Sequence, residues 1–297
     1  MAKDSHAIFD RDLLLARQRR ALRQHGHAGD FLLARAADDL GERLSAVERR
    51  FGIAVALASL GRQAADAVRQ SGKADAIYRA ERDPALLDPA YPAIVADEEF
   101  LPLRPASVDL IVSLLSLHLT NDTPGTLLQI RRALRPDGLF IGAMAGEDTL
   151  SELRQCMIAA EAEISGGAAP RVAPFADVRD VGGLLQRAGF ALPVADIETY
   201  TVRYDSVFGL FRDLRAMGAQ NILFGRSRKP LTRRFFARVA EIYAERYSDP
   251  DGRIRATFSF IWMSGWAPHE SQQKPLKPGS AKASLADFLK NAASEPD

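Results

Sequence analysis

The chain is 297 residues long, 47% hydrophobic and 26% charged, with a formal net charge of +1. This is ordinary globular composition, without the basic excess of a nucleic-acid or membrane-surface binder. A single cysteine, Cys156, excludes an intrachain disulfide and a cysteine metal cluster, and no apolar run approaches the roughly 20 residues that span a bilayer.

The N-terminus has no apolar signal-peptide core. Arg11, Arg17, Arg19, Arg20 and Arg23 suggest a mitochondrial leader, but Asp4, Asp10 and Asp12 interrupt them. The expected location is therefore the cytoplasm of a bacterium, a reducing compartment. Residues 1–50 read as a helical lead-in, with leucines among arginines and then Phe31, Leu32, Leu40 and Leu44 at helical spacing. His25-Gly26-His27-Ala28-Gly29 breaks that lead-in. Its two histidines lack a third ligand nearby, so a polar linker is the simpler reading than a metal site.

From Phe51 the pattern alternates. Phe51–Leu60 is an apolar first strand, Gln63–Ser71 a helix stopped by Gly72, Ala76–Tyr78 a second strand and Ile94–Ala96 a short third. Leu110–Leu115 and Leu139–Met144 are short apolar runs suited to strands buried on both faces. Between them Thr123 is read as a cap, Pro124 as the first helical position and Gly138 as a left-handed stop, which completes a strand–helix–strand crossover. Asp97, His118, Asn121 and Asp122 then fall near the carboxyl ends of the strands, where such sheets bind ligands. Asn121 and Asp122 read as helix caps.

A long helix follows, with Thr149 and Glu152 at capping-box spacing and Gly166-Gly167 at its end. Val178–Ala188, Val207–Met217 and Leu231–Tyr247 read as helices, and Val194–Tyr204 and Ile254–Trp266 as strands. The organisation predicted is a lead-in over 1–50, an α/β domain over 51–267 and a polar tail over 268–297.

Particular stretches go further. They are Val95-Ala96-Asp97-Glu98-Glu99-Phe100-Leu101-Pro102, Leu115-Ser116-Leu117-His118, Asn121-Asp122, and Leu134-Arg135-Pro136-Asp137-Gly138 through Met144. Asp148-Thr149-Leu150, Arg187-Ala188-Gly189-Phe190, His269-Glu270-Ser271-Gln272 and the opening Ile8-Phe9-Asp10-Arg11-Asp12-Leu13 continue the likeness along nearly the whole chain. Together they resemble one branch of the class I S-adenosylmethionine (SAM)-dependent methyltransferase superfamily, the mitochondrial complex I assembly factor five (arginine hydroxylase) type and its bacterial relatives. The malonyl carrier-protein methyltransferase of biotin synthesis is a more distant relative.

The resemblance implies a Rossmann-like α/β fold, a seven-stranded, mostly parallel sheet with an antiparallel edge strand and helices on both faces. It also implies SAM as cofactor and a complex I subunit as partner, with no nucleic acid and no transmembrane segment. The acids after strand three, Asp97 and Glu98, would touch the adenine end, and Leu117 and His118 would close over the cofactor. His118 is the candidate catalytic residue, as a base or an orienting group, weighed against a strand-end histidine held by backbone.

Strand one departs from the family pattern. Where an acid and three glycines are expected, the chain has Ala56, Ala58, Leu60 and Arg62, with Gly61 offset by one position. Ala80 stands where the ribose-binding acid belongs, and Glu81 follows it. Two readings follow. SAM binds in a rearranged loop through Ala58, Gly61 and Glu81, or the fold persists with cofactor binding impaired, the side favoured by the loss of a bidentate ribose contact. Cys156 reads as a packing residue, and Trp262 and Trp266 as core or edge aromatics. Hydroxylation by a two-histidine, one-carboxylate iron site finds no matching ligand set, so no metal is expected. The rival functions are a conventional methyltransferase of a small molecule or carrier protein, and a non-catalytic protein-binding module.

Overall fold

The computed structural model describes residues 7–26 and 30–272; the expected linker histidine His27 and the tail beyond Gln272 lie outside them. Two helices, α1 (Arg11–His25) and α2 (Phe31–Ser45), precede the sheet. The strands are β1 (Phe51–Leu57), β2 (Ala74–Glu81), β3 (Ala93–Val95), β4 (Val108–Leu114), β5 (Leu134–Ala145), β6 (Ala191–Tyr204) and β7 (Ile254–Trp266). They form one sheet in the order β3-β2-β1-β4-β5-β7-β6. Neighbours from β3 to β5 pair parallel, and β7 runs antiparallel to both β5 and β6. The antiparallel strand is therefore slotted one place in from the edge, and β6 forms the edge itself.

Alternation along β1 feeds two cores. Ala54 and Ala56 join the cluster beneath α2, α3 (Gln63–Ser71), α5 (Ser151–Ser165), α7 (Val207–Ala216) and α8 (Arg233–Tyr247). Val55 and Leu57 join the opposite cluster, beneath α4 (Thr123–Ala133) and α6 (Val178–Arg187). A strand buried on both faces needs apolar residues at consecutive positions, which is why it reads as a continuous run. Gly72 closes α3 with φ +64°, as a left-handed stop should. Cys156 is wholly buried in α5, where burial pushes its thiol up to about 11.

Several local expectations are corrected. Thr123 is the first residue of α4 and not its cap; the cap is the expected Asp122, whose carboxylate accepts from the Gly125 N–H at 2.8 Å. Asn121 caps nothing; its side chain accepts from the Ile8 and Phe9 N–H groups, each at 2.8 Å, and donates to the Phe9 carbonyl at 3.1 Å. Gly138 is no left-handed stop. The positive φ, 65°, belongs to Asp137, and a β-carbon on Gly138 would lie 2.9 Å from the Arg135 carbonyl oxygen. Close approach of two backbones, not handedness, requires glycine there.

Nor is there a capping box on α5, which starts at Ser151 behind a left-handed Leu150. Thr149 Oγ1 instead donates to the Ser259 carbonyl and accepts from the Ser259 N–H, both at 3.0 Å. Glu152 accepts from Thr257 N at 3.2 Å and from its hydroxyl. The spacing that suggested a cap ties α5 to β7.

Replacing Thr149 by valine strands the buried Ser259 N–H and is expected to lower stability by about 1–3 kcal/mol. Urea melts of Thr149→Val against Thr149→Ser, which keeps both bonds, measure this; equal midpoints would show that the link is idle.

Candidate functional site

β1 stops at Leu57 because Ala58 takes φ +49°. Its N–H donates to the Ala80 carbonyl at 2.8 Å. An L-residue in this region costs on the order of 1–2 kcal/mol, so the chain keeps a glycine-type turn without the glycine. Ser59 is buried. Its hydroxyl accepts from Leu114 N at 3.2 Å and its carbonyl from Arg79 at 3.3 Å. Gly61 is buried beside it.

At the end of β2, Glu81 is only 3% exposed. It accepts from the guanidinium of Arg79 at 3.0 Å and from the Ser59 N–H. Burial is the largest influence on its carboxyl and, with Glu98 nearby, lifts it above the usual range against the pull of Arg79. Arg79 is itself buried and also donates to Asp88 at 2.8 Å and to the Leu86 carbonyl at 3.2 Å.

The acidic turn after β3 is taken by another arginine. Arg11, the first residue of α1 and 7% exposed, places Nη1 2.6 Å from Asp97 and 2.8 Å from Glu99, and Nη2 2.6 Å from Glu98. Arg82 adds a contact to Asp97 at 3.0 Å and donates to the Arg11 carbonyl at 2.7 Å. Burial pushes the Glu98 carboxyl up, and the adjacent Arg11 holds it back. α1 is fixed in this place by its cap Asp10, by Asn121 on the preceding backbone, and by Phe9 and Leu14 packing on Ile222 and Leu223.

On the other side of α1, a cavity of about 610 Å³ opens at the ends of β4 and β5. Leu14 and Arg17 of α1 line it, together with Leu115, His118 and Ala145. His118 sits in a single 3-10 turn, Leu117–Leu119, after β4, with its ring centroid 5.7 Å from that of Phe175. It is half-buried and lines the cavity, and burial pushes its pKa down to about 4. Its Nδ1 accepts from the Ala145 N–H at 3.3 Å. A neutral imidazole whose Nδ1 accepts must carry its proton on Nε2. His118 is thus equipped to donate a hydrogen bond to a ligand oxygen rather than to act as a base.

The fold therefore gathers Ala58, Gly61, Glu81, Asp97, Glu98 and Leu117 near the carboxyl ends of β1 to β4, but none of them lines the cavity. Leu117 is wholly buried in the core cluster that also holds Ala58. His118 alone of the candidates reaches the open space. Reasoning from sequence missed Arg79 and Asp30, and it met Arg11 and Arg17 only in a leader-like run of arginines and, for Arg11, in a family-like start. A lone arginine inside a strand or first turn gives no periodic signal of what it will touch.

The strand order and the placement of acids at the strand ends define a class I methyltransferase fold. A solved structure of a candidate methyltransferase from Bacillus halodurans superposes with TM-score 0.55 at 14% identity, covering 78% of this chain and all of that one. The methyltransferase domain family matches residues 51–142. Arginine-hydroxylase NDUFAF5 of Homo sapiens is 38% identical over 289 residues, 95% of this chain and 84% of the relative. The Danio rerio protein of that name is 46% identical over 197 residues, 66% of this chain and 61% of the relative. The chain belongs to the NDUFAF5 family.

These comparisons support SAM as the cofactor of the fold. As arranged here, however, the half-site does not fit it. The carboxylates that would meet ribose and adenine are bonded to Arg79 and Arg11, and the loop of Ala58 and Ser59 is closed on Ala80, Arg79 and Leu114. Among the described residues, no three His, Cys, Asp or Glu side chains cluster as metal ligands.

Two outcomes are expected. Calorimetric titration with SAM should give weaker than micromolar binding to the native chain, tightening about tenfold in Arg11→Gln, which removes the guanidinium that competes for the acidic turn. Micromolar affinity in the native protein would refute the closure. Separately, the folded pKa of His118 lies below its unfolded value near 6.5, so its unfolded form binds the proton first. Its contribution to stability is full above pH 6.5 and lost as pH falls towards about 4. Asp30 and Glu81, with raised values, act with the opposite sign. Urea melts of native and His118→Gln protein across this range isolate the histidine, and parallel stability–pH curves would disprove its depressed pKa.

Proposed function

We propose that the chain acts on, or assists, a subunit of respiratory complex I (NADH–quinone oxidoreductase) during assembly, with the cavity beside His118 as the place where the substrate segment or ligand sits. The observation that carries this reading is 38% identity along 95% of the chain to the human NDUFAF5 protein. The site supports it in two ways. The cavity abuts the ends of β4 and β5, where ligands of open α/β sheets bind, and it holds one neutral imidazole with a free donor. His118 is assigned as the residue that orients a substrate oxygen through Nε2–H, with Ala145 N–H fixing the ring.

Asp97 and Glu98 are assigned to the cofactor half, available once Arg11 withdraws, and Glu81 once it parts from Arg79. Residues 1–50, 51–267 and 268–297 remain our proposed division into lead-in, domain and tail. Among the described residues no helix is long and apolar enough to cross a membrane. We place the chain in the cytoplasm, reaching the inner membrane through its partner.

Deleting the gene in the source organism is expected to lower assembled, active NADH dehydrogenase, with rescue by the native chain. A His118→Ala chain at equal abundance should fail to rescue. Full rescue by that variant would favour a binding module without chemistry at His118. Unchanged NADH dehydrogenase in the deletion strain would reject the assembly role and favour a methyltransferase of a small molecule or carrier protein.

A further inference from the structure

We infer that the outer face of α7 and the start of α8, at the mouth of the cavity, docks an acidic segment of a partner protein. Carboxylates of that segment meet the arginines of the face while a neighbouring side chain enters the cavity. The inference deepens the reading of the cavity as the place where a substrate segment sits, and rests on it. It concerns what flanks the entering side chain, not that side chain itself.

The charge of this face is local. Residues 212–234 hold seven basic side chains and one acidic one, Asp213, in a chain whose formal net charge is +1. The rest of the chain is therefore slightly acidic, and the positive excess is gathered in one stretch. Asp213 is half-buried beside Tyr204. Arg226 is matched by Asp10 at 3.1 Å. Arg212, Arg215, Arg228, Lys229, Arg233 and Arg234 are exposed, and among the described residues none of them has a carboxylate partner.

These groups surround one opening. Arg215 and Lys229 line the cavity together with Phe211, Leu231 and Phe236. On α7, Phe208, Arg212 and Arg215 follow at i, i+4 and i+7 and are all exposed, so they share the outer face of the helix. The ring of Phe211 lies 5.6 Å from that of Phe236, which brings the first turn of α8 beside α7. That turn begins with Arg233 and Arg234 and carries no acid.

Left alone, the arrangement costs stability. Arg212 and Arg215 repel across one turn of α7, and two cations at the start of α8 oppose its dipole. Carboxylates from a partner relieve both. Five of the six exposed cations are arginines, whose planar fork pairs a carboxylate bidentately. A bilayer fits this face less well. Phe208, 50% exposed, is the one large hydrophobic side chain standing exposed between residues 205 and 238, whereas an interfacial helix inserts a whole apolar face. Stacking of nucleic-acid bases likewise calls for a series of exposed aromatics.

Fluorescence anisotropy on the full chain tests this with a labelled peptide of alternating glutamate and glycine and its glutamine counterpart. The glutamate peptide is expected to bind about tenfold or more tighter than the glutamine peptide, and to weaken as salt rises. Arg233→Gln with Arg234→Gln should lose about tenfold in affinity for it. The melting temperature of that variant should be unchanged or raised, because cations leave a helix N-terminus. Arg212→Gln with Arg215→Gln gives a second, independent readout on α7. Arg104→Gln with Arg132→Gln removes two exposed arginines outside this stretch and should leave binding unchanged. Vesicles of phosphatidylglycerol and a labelled single-stranded oligonucleotide are titrated in parallel.

Equal affinity for the two peptides, no loss in either variant of the face, or an equal loss in the Arg104 and Arg132 variant would each overturn the inference. So would variants of the face that lose vesicle or oligonucleotide binding and keep the glutamate peptide, in favour of a membrane or nucleic-acid surface. None of these readouts involves NADH dehydrogenase. A failed peptide assay beside an assembly defect in the deletion strain would reject the docking face alone, and the reverse result would reject the assembly role alone.

Discussion

Much of the site depends on one buried arginine. Arg11 holds three carboxylates, Asp97, Glu98 and Glu99, within 2.6–2.8 Å, and it does so from the first turn of a helix outside the sheet. Three acids clustered in a turn repel one another, and burial raises the cost of keeping them charged. The guanidinium offsets both, and in doing so fixes α1 across the mouth of the sheet. From that one docking follow the closure of the acidic half-site and the wall that Leu14 and Arg17 present to the cavity.

A similar exchange takes place at β2. In an open cofactor cleft an acid at this strand end would be free to accept hydrogen bonds from hydroxyl groups. Here Glu81 accepts from Arg79 and the Ser59 backbone, and Arg79 reaches two carbonyls and a second acid. The loop turns through a left-handed Ala58, φ +49°, a conformation that favours glycine, but carries side chains where a glycine loop would present bare backbone. The altered residues and the internal arginines belong together. Both convert surface that would face a cofactor into surface that faces protein.

The cavity beyond α1 follows different physics. Its floor is apolar, its wall carries unbalanced positive charge, and its one imidazole is neutral because it is desolvated and held at Nδ1. Such a site is suited to holding and orienting a group more than to taking its proton.

Much of the fold was legible in the sequence. Apolar runs such as Leu110–Leu115 mark strands buried on both faces, Gly72 marks a helix end, and the family-like stretches fixed strand order through resemblance. Local signals misled where one residue type serves two purposes. Gly138 serves close approach rather than handedness, and Thr149 and Glu152 serve β7 rather than a cap. The sequence by itself determined which segments form strands and helices, because burial periodicity and backbone sterics act within a few residues. It also placed the candidate acids and His118 at strand ends. Only the tertiary structure decided which of them face open space, because that depends on partners far away in the chain. Arg11 meets Asp97 across 86 positions, and neither residue's neighbours announce the other.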